Sequence, residues 1–134
     1  MAHDTGRTSK TSLVLFWAAA TLAMAVVVMW GATQPEDPLT PYIPLDKARH
    51  ILGFGAVGLC GGLMPTARSR LVTLAAVLAL GVVVELVQIP LPGRTASIGD
   101  LFASTAGAFG GFGLGAAALS ALELVRGGFI ERLR

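Results

Sequence analysis

Apolar and polar positions alternate along this chain in long blocks rather than residue by residue. Ser12 to Thr33 contains no charged residue, and Ile51 to Ala67 is a second uncharged run, preceded by His50. Leu71 to Ile89 is a third run, broken only by Glu85, and Leu101 to Leu122 is a fourth with no charge at all. A helix needs about 20 mostly apolar residues to cross the hydrocarbon core of a bilayer. The pattern predicts an all-α fold, a membrane-embedded bundle of four transmembrane helices joined by short loops. The spans are expected at about 12–33, 48–66, 71–89 and 100–122, with polar tails at 1–11 and 123–134. No long-period internal repeat is present.

Composition agrees with the pattern. Hydrophobic residues make up 54% of the 134 positions and charged residues only 13%; mean hydropathy is +0.71. A soluble domain carries roughly 25% charged residues to cover its surface, so much of this exterior is expected to face lipid. The net charge of +2 does not indicate nucleic acid, because the basic residues lie between apolar runs instead of along one stripe. The lone Cys60 excludes an internal disulfide, gives no metal-ligand spacing and reads as a packed thiol. Neither a metal nor a cofactor is expected. Arg7 and Lys10 before the first run resemble the basic start of a signal peptide, but the run exceeds the roughly 7–15 apolar residues of such a segment. It is read as a retained helix.

The connections are punctuated by proline. Pro35, Pro38, Pro41 and Pro44 predict an extended linker over 34–45, 65–70 a tight turn, and 90–98 a second irregular segment. The final segment, 123–134, reads as an interfacial helix interrupted at Gly127 and Gly128. Four spans place Arg7, Lys10, Arg68, Arg70, Arg126, Arg132 and Arg134 on one side and Lys47, Arg49 and Arg94 on the other. Basic residues favour the cytoplasmic side, so both termini are expected there. Trp17 and Trp30 suit anchors at the two interfaces.

The remaining polar residues converge. Asp46, Lys47, Arg49 and His50 open the second helix, Glu85 and Gln88 close the third, Arg94 and Ser97 lie in the loop, and Asp100 opens the fourth. An up-and-down arrangement brings them all to one membrane face, the external one. Lys47 and His50 are spaced i, i+3, as are Glu85 and Gln88; Asp100 and Ser104 are spaced i, i+4, so each helix presents one polar stripe. An unpaired acid at membrane depth costs several kcal/mol, and Glu85 therefore needs a cationic partner, from Arg94, Lys47 or His50, or a proton. Each residue also has a plainer role open to it. Glu85 suits a structural ion pair, His50 a helix start at the interface, Arg94 a headgroup anchor and Asp100 an N-cap. Gly107, Gly111 and Gly115 recur every four residues and suit close helix packing, although Gly110 and Gly113 lie among them.

Taken together these residues resemble the VanZ-like family of bacterial membrane proteins. Asp46-Lys47-Ala48-Arg49-His50-Ile51-Leu52-Gly53-Phe54 is similar to its D-K-x-x-H-x-x-x-F motif, and Glu85-Leu86-Val87-Gln88 to its E-x-x-Q. Pro92-Gly93-Arg94-Thr95-Ala96-Ser97-Ile98-Gly99-Asp100 is similar to P-G-R-x-x-S-x-x-D, and Gly107 and Gly111 fit the glycines that follow. The resemblance runs from about Asp46 to Gly111. Family members often carry Asn where this chain has Ser104, which loses the amide's paired donor and acceptor. The resemblance implies a multi-pass protein of the bacterial cytoplasmic membrane. The founding members are associated with low-level resistance to the glycopeptide teicoplanin, a cell-envelope phenotype, and most relatives have no established activity.

Three functions stay open. In the first, a non-enzymatic pocket of Asp46, Lys47, His50, Glu85, Gln88, Arg94, Ser97, Asp100 and Ser104 binds a lipid-linked cell-wall precursor or an anionic headgroup, with Lys47, Arg49 and Arg94 on the anion. In the second, an enzyme acts on a lipid-linked substrate with His50 as general base, oriented by Glu85 or Asp100. In the third, the charges clasp helices together in a structural subunit. No nucleophile elbow, zinc-protease motif or phosphate loop is present. Neither a nucleic-acid partner nor a particular oligomeric state is indicated.

Overall fold

The structure is a computed structural model that describes residues 5–35 and 43–132, with side chains described for 9–35 and 46–127. It consists of four helices: α1 (Thr5–Thr33), α2 (Ile43–Gly62), α3 (Ala67–Gln88) and α4 (Ile98–Arg132). Among the described residues there is no strand. Segments Ser9–Thr33, Ala67–Gln88 and Ile98–Gly127 are long and apolar enough to cross a membrane. The 20 residues of α2 rise about 30 Å, but its first turns hold Asp46, Lys47 and Arg49, and it occupies the interior of the bundle.

Every helix begins earlier than the apolar pattern alone suggests. Pro44, expected in an extended linker, lies in the first turn of α2, where its missing N–H is no loss and its fixed φ suits the helix. Pro38 and Pro41 lie outside the described residues. The turn expected over 65–70 is shorter, because α3 starts at Ala67 with Thr66 as its N-cap. The Ser69 amide donates to Thr66 Oγ1 at 3.1 Å and the Thr66 amide to Ser69 Oγ at 3.3 Å. This reciprocal box satisfies end amides that would otherwise be orphans. At the other extreme, α4 is not interrupted at Gly127 and Gly128. It runs 35 residues, about 50 Å, and so outreaches a 30 Å hydrocarbon core.

The helices alternate in direction. α2 touches α1, α3 and α4, whereas α1 and α4 share no contact among the described residues. The exterior is apolar on every helix: Phe16, Leu22 and Trp30 on α1, Leu71 and Leu86 on α3, and Phe102, Phe109 and Leu114 on α4 are all exposed. The interior holds only a small apolar core of Phe54, Val57, Val77, Val84 and Ala108. Beside it lie buried His50, Glu85, Gln88, Asp100 and Ser104. Apolar outside with polar groups gathered inside is the arrangement expected for a protein solvated by lipid, where stray polar groups must find partners within the protein. Cys60 is half-buried and free, so it is less enclosed than a packed core thiol.

Parallel helices α2 and α4 form the closest contact. A Cβ placed on Gly107, Gly111 or Gly115 would overlap the carbonyl oxygen of Ile51, Gly55 or Leu59, respectively. From the other side, a Cβ on Gly58 or Gly62 would overlap the carbonyl of Ala108 or Phe112. Only hydrogen atoms fit between these backbones. In a bilayer, where lipid is as apolar as the protein, such close packing supplies association through dispersion and excluded lipid. The α2 half of the contact is made by Gly55, Gly58 and Gly62, which share a helical face but lack the regular four-residue spacing of the α4 glycines.

Candidate functional site

The α2–α4 contact holds the first turns of both helices at the same level, and their polar stripes face each other there. Lys47 Nζ lies 3.0 Å from Asp100 Oδ1, an ion pair with the lysine side chain 42% exposed and the aspartate 8%. One turn deeper, His50 Nδ1 and Ser104 Oγ are 2.9 Å apart in a fully buried hydrogen bond. The His50 ring lies parallel to Phe54, with centroids 6.4 Å apart. His50 is thus held by Ser104, a residue to which the enzymatic alternative gave no orienting role, having named Glu85 or Asp100.

The loop between α3 and α4 shapes the rest. Leu91 N–H donates to the Gln88 carbonyl and Arg94 N–H to the Leu91 carbonyl, two successive tight turns. Gly93 sits at φ 77°, a left-handed conformation that glycine adopts without penalty. The turn sends Arg94 back onto the end of α1. Its Nε donates to the Gln34 carbonyl at 2.9 Å and an Nη to the Gly31 carbonyl at 3.3 Å. These carbonyls lie at the end of α1, where the regular helical donors run out; the Gly31 carbonyl also accepts the Gln34 amide at 3.3 Å. Arg94 also lies 3.8 Å from Asp46 Oδ1, its side chain only 8% exposed. It is a buried clasp between α1 and α2, not a headgroup anchor at the rim.

Ser97 caps α4 in place of Asp100. Its Oγ accepts from the Gly99 amide at 3.1 Å, the geometry of an N-cap, which leaves Asp100 to turn inward toward Lys47. The Ser97 amide donates to Glu85 Oε2 at 2.8 Å. Among the described contacts Glu85 has a backbone N–H as partner where a cation or a proton was expected; Lys47 is committed to Asp100. Glu85 Oε1 is buried with no hydrogen-bond partner among the described residues. Gln88 is buried and donates to the Ala32 carbonyl at 3.2 Å, tying α3 to α1.

All nine polar positions singled out from the sequence lie at one end of the bundle, in two groups. Lys47, Glu85, Ser97, Asp100 and Ser104 lie where α4 meets α2 and α3. Asp46, His50, Gln88 and Arg94 line a cavity of about 430 Å³ between α1, α2 and α3. His50 belongs to both groups: its ring borders the cavity while Ser104 holds it from behind. Arg49, Gln34 and the apolar residues Val27, Val28, Phe54 and Val84 also line it. The α1 wall was not identified from the sequence, because a uniformly apolar helix carries no mark of which face meets a cavity. One further grouping was invisible to spacing: ligand atoms of Asp46, His50 and Asp100 lie within 4.8 Å of one another, though Asp100 is fifty or more residues along the chain from the other two.

No curated protein and no solved structure matches the chain. The profile of the VanZ/LLP1 family does match, over residues 1–119. That span takes in the apolar α1, all three polar motifs and the glycine contact. The match covers nearly the whole chain, and the protein belongs to the VanZ/LLP1 family.

Proposed function

We propose that this membrane protein binds an anionic amphiphile of the cell envelope, with its phosphate-bearing head at the polar mouth and part of its chain within the bundle. The composition of the cavity wall carries this reading. Arg49, His50 and Gln88 stand near helix ends and Arg94 in the α3–α4 loop, and Val27, Val28, Phe54 and Val84 lie one to two turns deeper. A volume of about 430 Å³ falls within the few hundred cubic ångströms of ordinary ligand pockets. A planar guanidinium suits phosphate by donating two parallel hydrogen bonds, and Arg49, which is exposed, has a free approach to the mouth. On this reading α2 is the fourth span, the mouth faces outward from the cytoplasmic membrane, and both termini lie in the cytoplasm, following the bias of Lys and Arg.

The test is lipid retention. Purified protein in mild detergent is exposed to mixed micelles of phosphatidic acid and phosphatidylcholine, and bound lipid is identified by native mass spectrometry. Enrichment of phosphatidic acid over phosphatidylcholine is expected, and it should fall in Arg49→Gln and Arg94→Lys proteins that elute normally. Equal retention of both lipids would remove the proposal. Cells carrying Glu85→Gln, His50→Gln or Arg94→Lys at normal membrane abundance should show altered teicoplanin susceptibility. Appearance of a cleaved lipid in the same incubations would instead favour catalysis by His50.

A further inference from the structure

We propose that Asp46, His50 and Asp100 form a binding site for a divalent transition cation, with Glu85 as an outer partner. Two carboxylates and an imidazole are a mixed oxygen and nitrogen donor set suited to Mn²⁺ or Zn²⁺. Their ligand atoms lie within 4.8 Å of one another. Bonds of about 2.0–2.2 Å to one tetrahedral ion place ligand atoms roughly 3.4 Å apart, so the trio must contract by about 1–1.5 Å, a movement open to the Asp46 side chain, which is 33% exposed.

Three features of the surroundings point to an ion. His50 is 91% buried, from 9% exposure, and its Nδ1 is occupied by Ser104 at 2.9 Å. When Nδ1 donates to that hydroxyl, the lone pair is on Nε2, and a metal-binding histidine is commonly held in its tautomer this way. Second, Glu85 is 92% buried, from 8% exposure, and keeps one oxygen without a donor. Four residues before it, a Cβ on Gly81 would point at Phe54 Cε1 and Ser104 Cβ, both at 3.7 Å. The other Glu85 oxygen accepts the Ser97 amide at 2.8 Å, and the Ser97 carbonyl accepts the Asp100 amide, so the orphan oxygen lies beside the first turn of α4 that carries Asp100. An orphan carboxylate oxygen at that place suits a water molecule on the ion. Third, the existing ion pairs are replaceable: Arg94 stands 3.8 Å from Asp46, and Lys47 is 42% exposed and free to swing outward.

The ion also changes what the mouth offers an anion. Without it, Asp100 and Asp46 occupy Lys47 and Arg94. With it, both carboxylates bind the metal and Lys47, 42% exposed, turns to the ligand while Arg94 stays on the α1 carbonyls, so cation and phosphate should bind cooperatively. That coupling rests on the function proposed above, whereas the ion's own binding does not.

Mn²⁺ itself is the probe, titrated into lipid-depleted protein in neutral detergent and followed by loss of the free-ion paramagnetic resonance signal. One ion per chain is expected. His50→Gln and Asp100→Asn should weaken binding at least tenfold, and Glu85→Gln roughly tenfold, as outer partners commonly do. Asp46 is the more exposed carboxylate, so Asp46→Asn gives a second ligand variant less prone to misfolding. Lys47→Met, which removes a competing charge, should bind Mn²⁺ at least as tightly as the parent. Substoichiometric binding, or equal affinity in the three ligand variants, would overturn the site. Phosphatidic acid added to the Mn²⁺-loaded protein then separates the two ideas. Binding of Mn²⁺ that ignores the lipid leaves the ion site standing and removes the coupling.

Discussion

Replacing Gly111 by alanine adds one methyl group at the point where the backbones of α2 and α4 come closest. That methyl would overlap the Gly55 carbonyl oxygen, and it would lie 2.7 Å from the Gly55 carbonyl carbon and 2.9 Å from the Leu59 nitrogen. Ordinary contact begins near 3.4 Å, so the carbon alone demands a retreat of 0.7 Å (3.4 − 2.7), and the oxygen demands more. The obstacle is backbone on both sides, and no rotamer change relieves it. A gap of 0.5–1 Å forfeits about a quarter to a half of each neighbouring dispersion contact, and overpacking typically costs about 1–3 kcal/mol. The better helix propensity of alanine returns up to about 1 kcal/mol. We expect Gly111→Ala to destabilise the protein by about 2 kcal/mol. Gly110 and Gly113 provide the control, because a Cβ at either meets nothing within 4 Å; alanine there should be neutral or stabilising by up to about 1 kcal/mol. Titration with sodium dodecyl sulfate in mild detergent, followed by helical circular dichroism, measures all three variants. If Gly111→Ala is as stable as the parent, or if the three variants move together, the close contact does not hold the bundle.

Other substitutions test other joints. Gln88→Leu removes the bond to the Ala32 carbonyl and should cost about 0.5–1.5 kcal/mol, with faster hydrogen exchange at the end of α1 but not in α4. Removing Lys47 leaves the buried Asp100 without its partner, whereas removing Asp100 leaves a lysine that reaches solvent. Lys47→Ala should therefore destabilise more than Asp100→Asn, by about 1–3 kcal/mol, with the Lys47→Ala, Asp100→Asn double variant less impaired than Lys47→Ala alone. Thr66→Ala breaks the capping box of α3 and should cost about 1 kcal/mol in the same unfolding titration, while lipid retention at the distant mouth is unchanged.

Much of the architecture was legible because lipid imposes a coarse rule. A segment that crosses hydrocarbon must be apolar for about 20 residues, and Ser12–Thr33 or Leu101–Leu122 shows that without any knowledge of partners. Helix ends were less legible. Pro44 and Ser69 act within first turns, and in α4 the capping role went to Ser97 instead of Asp100, because local hydrogen bonds decide ends. The site was legible as a set of residues and an end of the bundle. Spacing could not assign its pairings. Glu85 was expected to need a cation or a proton, and the partner the fold supplies is the Ser97 amide. Arg94 was open to a rim role and instead clasps the α1 carbonyls.

The chain alone determined that apolar helices face lipid and that their polar residues collect at one end, since both follow from period and connection length. Tertiary structure decided which partner each polar group takes and which glycines are indispensable. Gly110 and Gly111 are adjacent and chemically identical, yet one faces open space and the other faces the backbone of α2. The difference is a rotation of about 100° around a helix axis, and only the position of the neighbouring helix gives that angle a meaning. In the same way, the 4.8 Å grouping of Asp46, His50 and Asp100 exists because α2 and α4 run parallel at glycine distance.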